Sequence, residues 1–319
     1  MAQAGAPDVL QISEVADPVP GPGELLIKVV AAGVNRADLL QRQGRYPAPP
    51  GASPLLGLEC AGTVAALGPG VDGWRPGDPC VALLAGGGYA ELVSVPAGQV
   101  VQPPPGVDLV SAGGLIEVAA TVVSNLDAAG LRRGETLLVH GGAGGIGSFA
   151  VPYAKALGAR VLATAGTEPK LAHCRRIGAD AAISYRGDWA AEVGSVTDGR
   201  GVDVILDVMG GSYLEANVKS LAVGGRLVTI GLQGGRQGIL DLSALMTRRA
   251  AVMATTLRAR PVEEKAAICC RVVESAWPLI GSGRIPLPPE TRFPLADAAE
   301  AHRRLESGEN IGKVILVLG

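Results

Sequence analysis

LLVHGGAGGIGSFAVPYAKALGARVLATAGTEPK, residues 137–170, holds two apolar runs with a glycine-rich bend and an amphipathic stretch between them. Gly142, Gly144 and Gly147 form G-x-G-x-x-G. The spacing alone is a weak signal in a chain with 46 glycines. It gains weight because it follows a strand-like run and opens a helix-like one. The first glycine allows a tight turn, the second lets backbone approach a pyrophosphate, and the third lets helix and strand pack closely. The helix start adds free N–H groups and the positive end of a dipole. The second run, RVLATA, ends at Ala165, Gly166 and Thr167. Sheets that read a free ribose 2′-hydroxyl place Asp or Glu there. Here Gly166 leaves room, and Lys170, one turn into the next helix, offers a compact charge to a 2′-phosphate, with Arg175 or Arg176 assisting. Glu168 opens that helix, where an acid serves the dipole. The pattern predicts NADP(H) rather than NAD(H).

Outward from this stretch, strand and helix alternate: ETLLVHG, GIGSFAVPYAKALG, RVLATA, EPKLAHCRRIG, DAAISY, GVDVILDVMG, SYLEANVKSLAVG and RLVTIG. That order predicts a parallel, doubly wound sheet. SAGGLIEVAATVVSNLDAAG, 111–130, reads as one helix ending at Gly130. Before it lie short extended runs, ELLIKVVAAGV (24–34), AGTVAALG (61–68), CVALLA (80–85) and YAELVSVP (89–96), with one helical piece, NRADLLQRQG. Such spacing predicts a β-rich, barrel-like unit. After about residue 258 come a long helix (PVEEKAAICCRVVESAWPLIGSG), the strand RFPL, the helix ADAAEAHRRLESG and a last strand, KVILVLG. The fold class is therefore α/β, a nucleotide-binding sheet inserted into a discontinuous β-rich domain.

Composition removes other classes. Net charge is −2, and no basic arm or Lys/Arg stripe stands ready for nucleic acid. MAQAGAPDVLQ lacks a basic region followed by an apolar one, so no signal peptide is expected, and no apolar run reaches membrane-span length. Cys60, Cys80, Cys174, Cys269 and Cys270 show no C-x-x-C spacing, which predicts reduced thiols in a cytoplasmic protein and no metal site.

With these residues in view the chain resembles the medium-chain dehydrogenase/reductase superfamily, and within it the zinc-independent NADPH:quinone oxidoreductases, the zeta-crystallin group. AAGVNRADLLQRQGRYPAPPG (31–51), LGLECAGTV (56–64), WRPGDPCVALLAGGGYAE (74–91), VHGGAGGIG (139–147), AGTEPK (165–170), LDVMGGSYLEANVKSL (206–221) and NIGKVIL (310–316) carry the resemblance. It implies a GroES-like barrel domain over 1–117 and 259–319 and a Rossmann domain over 118–258. It implies a homodimer or tetramer with an active cleft at the domain junction, and a first strand that begins earlier, so a short or misassigned N-terminus is expected. Asn35, Tyr46 and Thr121 then match residues near the nicotinamide. Gly145, Ile146 and Gly147 match the pyrophosphate loop, and Gly166 and Lys170 the 2′-phosphate pocket. Tyr185 matches a tyrosine beside the adenosine end. Gly231 and Leu232 follow the strand facing the nicotinamide, and Asn310 matches an asparagine closing over the cofactor. The zinc alcohol dehydrogenases of the superfamily place Cys where Asn35 stands and His where Leu58 stands; Glu59 keeps only the acidic partner. No zinc is expected, because a closed site needs such ligands.

The chemistry expected is positioning: hydride passes from NADPH to an electron-poor acceptor held in contact. A quinone suits this, with Tyr46 donating a hydrogen bond to a carbonyl oxygen as charge builds, or packing on Pro47–Pro50. Asn35 orients carboxamide or substrate, or caps a turn. The alternatives are an α,β-unsaturated carbonyl acceptor, with Tyr46 as proton donor, and an NADPH-binding protein without turnover. His140 is read as a packing or hydrogen-bonding residue, His173 and His302 as solvent-facing, and Asp207 as a turn cap or an indirect contact to the cofactor rather than a catalytic residue.

Overall fold

The computed structural model describes residues 4–318. These residues divide into two units. One takes the chain as far as Ala120, Leu257–Ser282 and the chain from Pro289 onward; the other takes Thr121–Thr256 and Gly283–Pro288.

The first unit opens with β1 (Glu24–Val34), which alternates between core and surface and then becomes buried from Ala31 on. Asn35 follows, and its backbone N–H donates to the Asp38 carboxylate at 2.8 Å as α1 (Arg36–Arg42) begins, a reciprocal closure of a helix N-terminus. β2 (Glu59–Leu67), β3 (Pro79–Leu83), β4 (Leu92–Pro96) and β5 (Val100–Val101) come next. The single helix expected over 111–130 is two, α2 (Leu109–Ala112) and α3 (Ile116–Ala128). Gly113 and Gly114 break it because the chain there presses on β1 and on the C-terminal strand. A Cβ on Gly113 would lie 2.8 Å from the Ala31 Cβ, and one on Gly114 would lie 3.2 Å from the Lys313 side chain.

In the second unit β6 (Thr136–Val139), α4 (Gly145–Ala156), β7 (Arg160–Ala165), α5 (Glu168–Arg176), β8 (Ala181–Ser184), α6 (Trp189–Val196), β9 (Val202–Asp207), α7 (Leu214–Ser220) and β10 (Leu221–Thr229) alternate as expected, and α8 (Leu242–Arg248) and β11 (Ala251–Ala254) extend the series. The first unit then resumes. The expected long helix is split into α9 (Val262–Ser275) and α10 (Trp277–Gly281) ahead of Pro278, which has no N–H to continue the ladder. β12 (Glu290–Pro294), α11 (Ala298–Glu306) and β13 (Lys313–Val317) close the chain.

The first unit's sheet runs β12-β13-β1-β2-β3-β5, with β4 also on β1. β1 gives residues 24–28 to β4 and 31–34 to β13 while β2 follows most of its length. Three partners on one strand curl the sheet, and Leu25, Ile27, Val29, Cys60, Val64, Val93 and Val95 fill the interior. The second unit's sheet is parallel throughout and runs β8-β7-β6-β9-β10-β11. Numbered within that unit this is 3-2-1-4-5-6, the doubly wound order, whose strand order reverses between β6 and β9.

Candidate functional site

In the second unit the glycine loop leaves β6 beside the switch point. A Cβ on Gly142 would lie 2.6 Å from the Ala163 Cβ and 2.9 Å from the Cys174 Sγ, and one on Gly147 would strike the backbone of Gly141 and Gly142. These two glycines serve close packing. Gly144 has no such neighbour, and Gly144, Gly145 and Ile146 stay partly exposed while Gly142, Ala143 and Gly147 are buried. The exposed edge of the loop is therefore the start of the 12-residue α4, whose first N–H groups have no partner within the helix. Next to it, Asp207 ends β9 and caps its turn, accepting from the N–H groups of Met209 at 2.8 Å and Gly210 at 2.9 Å.

The tip of β7 carries no carboxylate, and the Glu168 side chain is held by Arg175 at 2.8 Å. The space that Gly166 leaves is not open, however. A Cβ there would fall on the hydroxyl of Tyr185, so Gly166 is buried beneath that half-exposed ring. The absent side chain admits the Tyr185 phenol, and in the residues that follow Thr167 is exposed and Lys170 half-buried. Arg176 donates to His173 Nδ1 at 2.9 Å.

His173 and His302 are not solvent-facing; both are buried. An inward helix face can carry a histidine when both ring nitrogens find partners. Ser148 Oγ lies 2.9 Å from His173 Nε2. Arg42 and Tyr89 flank the two nitrogens of His302 at 3.3 and 3.2 Å. Burial, and then the Arg42 charge, push His302 down to about 3. His140 is a buried hydrogen-bonding residue, held by Thr164 and Asn217. The buried thiols are inert: burial pushes Cys174 up to about 11 and Cys80 and Cys269 up to about 12.

In the first unit Asn35 sits in a buried cluster that the sequence did not reveal. Its Nδ2 donates to Glu59 Oε1 at 2.8 Å, and Lys313 Nζ donates to Asn35 Oδ1 and to Glu59 Oε1, both at 2.7 Å. Glu59 Oε2 accepts from the Glu117 N–H at 3.0 Å, and Gly33 has no side chain because Glu59 fills that place. Asp38 accepts from the N–H groups of Asn35 and Gly57, and burial pushes its carboxyl up to about 6. Tyr46 is half-buried beneath Arg258, whose guanidinium carbon lies 5.3 Å from the ring centroid. Arg258 also donates to the carbonyl of Ala85 and to Gln41 Oε1. Asn310 is buried and engaged in its own turn, with Nδ2 donating to the Gly312 carbonyl and Oδ1 accepting from Thr291. Thr121 is buried in α3, and Gly231 and Leu232 lie just past β10, Leu232 exposed. Lys313 was legible only as part of NIGKVIL, and Arg258 carried no signal, because its partners come from distant segments.

Residues 145–269 match the family model described as zinc-binding dehydrogenase, and residues 21–105 match that of the alcohol dehydrogenase GroES-like domain. The donor set does not fit zinc. Asn35 and Glu59 already hold the Lys313 ammonium between them, and Leu58 offers no ligand. Among the described residues no three His, Cys, Asp or Glu side chains are grouped to hold a metal, and no helix is long and apolar enough to cross a membrane. The phthioceranic/hydroxyphthioceranic acid synthase of Mycobacterium tuberculosis (strain ATCC 25618 / H37Rv) is 33% identical over 93% of this chain, which spans 14% of that protein's length. Three solved structures share the fold. CurK enoyl reductase is 26% identical with a TM-score of 0.86, covering 100% of this chain and 98% of that one. The Escherichia coli quinone oxidoreductase complexed with NADPH is 29% identical with a TM-score of 0.88, covering 99% and 98%. A mycobacterial quinone oxidoreductase is 34% identical with a TM-score of 0.85, covering 99% and 97%. Agreement of sequence and fold from end to end means that this chain belongs to the quinone oxidoreductase, or zeta-crystallin-like, group of the medium-chain dehydrogenase/reductase superfamily.

Proposed function

We propose that the chain is a zinc-independent, NADPH-dependent oxidoreductase that reduces quinones. The observation carrying this reading is the β7 tip without an acid, next to a glycine loop whose outer edge is helix N–H groups. When bound, NADPH supplies hydride from its nicotinamide. The protein's residues hold and orient. Gly144, Gly145 and Ile146 present backbone to the pyrophosphate, Gly142 and Gly147 set the loop against β7, and Lys170 faces the 2′-phosphate beside Tyr185. Thr121, Gly231, Leu232 and Asn310 belong to the nicotinamide side. Asn35 directs its amide hydrogens at Glu59 Oε1, 2.8 Å away, and at the Gly33 carbonyl, 3.5 Å away, so it orients a carboxamide by giving up the weaker second contact. Tyr46, its ring held by Arg258, donates to the acceptor's carbonyl oxygen.

A second reading is reduction of α,β-unsaturated carbonyls, favoured by the likeness to an enoyl reductase. The working form is a homodimer in the cytoplasm. β11 ends its sheet with an unpaired edge, and Ile239, Leu242 and Met246 are exposed in the segment leading to it. NADPH consumption with a naphthoquinone and with a simple enone separates the readings. Lys170→Ala should weaken NADPH by about 10-fold or more and leave NADH unchanged, as expected for losing a charged phosphate contact. Equal loss of both dinucleotides would remove the basis for the cofactor assignment.

A further inference from the structure

Lys265 stands apart from every other buried charge described in the first unit. It lies on α9, 5% exposed, and its ammonium, which keeps a little accessible surface, makes no hydrogen bond or ion pair with another described residue. Buried charges are ordinarily paired, and Lys313, bonded to Glu59 at 2.7 Å, shows the ordinary case. Lys265 instead lines a cavity of about 10 Å³ with Leu58, Leu83, Leu84, Glu117, Leu257 and Arg258. That volume holds one water or one oxygen atom. The wall is apolar except for two cations and one carboxylate, and Arg258 is the same residue that covers Tyr46. Two cations against the single Glu117 carboxylate leave this oxygen-sized hole net positive, which suits an oxygen that gains negative charge.

We propose that Lys265 is a catalytic residue, the proton donor to the second carbonyl oxygen of a quinone acceptor, which enters this cavity while Tyr46 serves the first. The proposal rests on the reductase reading above. Hydride and its electron pair add to an acceptor carbon conjugated with the carbonyl, and the π pair of the C=O bond moves onto oxygen. An N–H bond of Lys265 then breaks, its proton forms the new O–H bond, and the neutral amine left behind takes a proton from water. The sum is NADPH, one proton and the acceptor giving NADP⁺ and the reduced acceptor. Burial, and then Arg258, hold the Lys265 ammonium below the usual lysine range, while Cys269 acts in the opposite sense. That direction eases proton release.

The test has two arms. In the first, p-nitrophenolate, a stand-in for the oxyanion, is titrated spectrophotometrically against dinucleotide-free protein. Wild type should bind it, Lys265→Met should bind at least 10-fold more weakly, and Lys265→Arg should stay within about threefold. In the second, turnover of a naphthoquinone should fall at least 10-fold in both variants, because arginine keeps the charge but does not release its proton, while the Kd for NADPH is unchanged. Phenolate binding unaffected by Lys265→Met, or turnover of that variant within twofold of wild type, overturns the proposal. A wild type that turns over no acceptor refutes the reductase reading instead, and the phenolate arm still decides the oxygen site. If Lys265→Met does not fold, Lys265→Gln takes its place.

Discussion

Replacing Lys313 with methionine tests the buried cluster most directly. Glu59 is fully buried and Lys313 is 3% exposed. Three donors serve the carboxylate: the ammonium and the Asn35 amide on Oε1, and the Glu117 N–H on Oε2. Removing the ammonium keeps the side-chain volume and leaves an uncompensated anion in the core. Breaking a buried pair from one side costs about 3–5 kcal/mol. At about 2–4 °C per kcal/mol for a unit of this size, Tm should fall by about 6–20 °C in calorimetry. The double variant Glu59→Gln with Lys313→Met has no charge left to strand and should recover to within about 2 kcal/mol of wild type. A Lys313→Met shift under about 2 °C, or a double variant no more stable than Lys313→Met alone, would refute the view that this ammonium neutralises Glu59.

Other outcomes follow from single contacts. Gly147→Ala puts a methyl group into the backbone of Gly141 and Gly142; it should cost about 1–3 kcal/mol and weaken NADPH in a fluorescence titration. His302 has its folded-state value depressed to about 3 from 6.5, so its contribution is present above pH 6.5 and lost as pH falls through 3. That amounts to roughly 4–5 kcal/mol at most. Asp38, raised to about 6 from 3.8, works the other way: its contribution is complete below pH 3.8 and lost as pH rises through 6. Urea midpoints from pH 7 to pH 3 should therefore show a steeper acid loss in wild type than in His302→Gln, and equal slopes would contradict the assignment. Val252→Lys on the unpaired edge strand β11 should shift light scattering from dimer to monomer, and an unchanged mass would place the dimer contact elsewhere.

The glycine spacing, the acid-free tip of β7 and the alternation of apolar runs were legible in the chain because they follow from local rules: backbone clearance, helix dipoles and the period of strands and helices. The same rules misplaced what distant contacts control. The helix at 111–130 broke at Gly113 because β1 lies against it, and His173 and His302 turned inward because Ser148, Arg42 and Tyr89 were there to receive them. Gly166 read as open space and proved to be roofed by Tyr185, 19 residues on. By itself the sequence determined a dinucleotide sheet, its loop and its charge preference. Only the tertiary structure decided that Asn35, Glu59 and Lys313 meet, and that Lys265 and Arg258 share a cavity. A buried charge is defined by the partners that folding brings to it, and those partners lie up to 278 residues away in the chain.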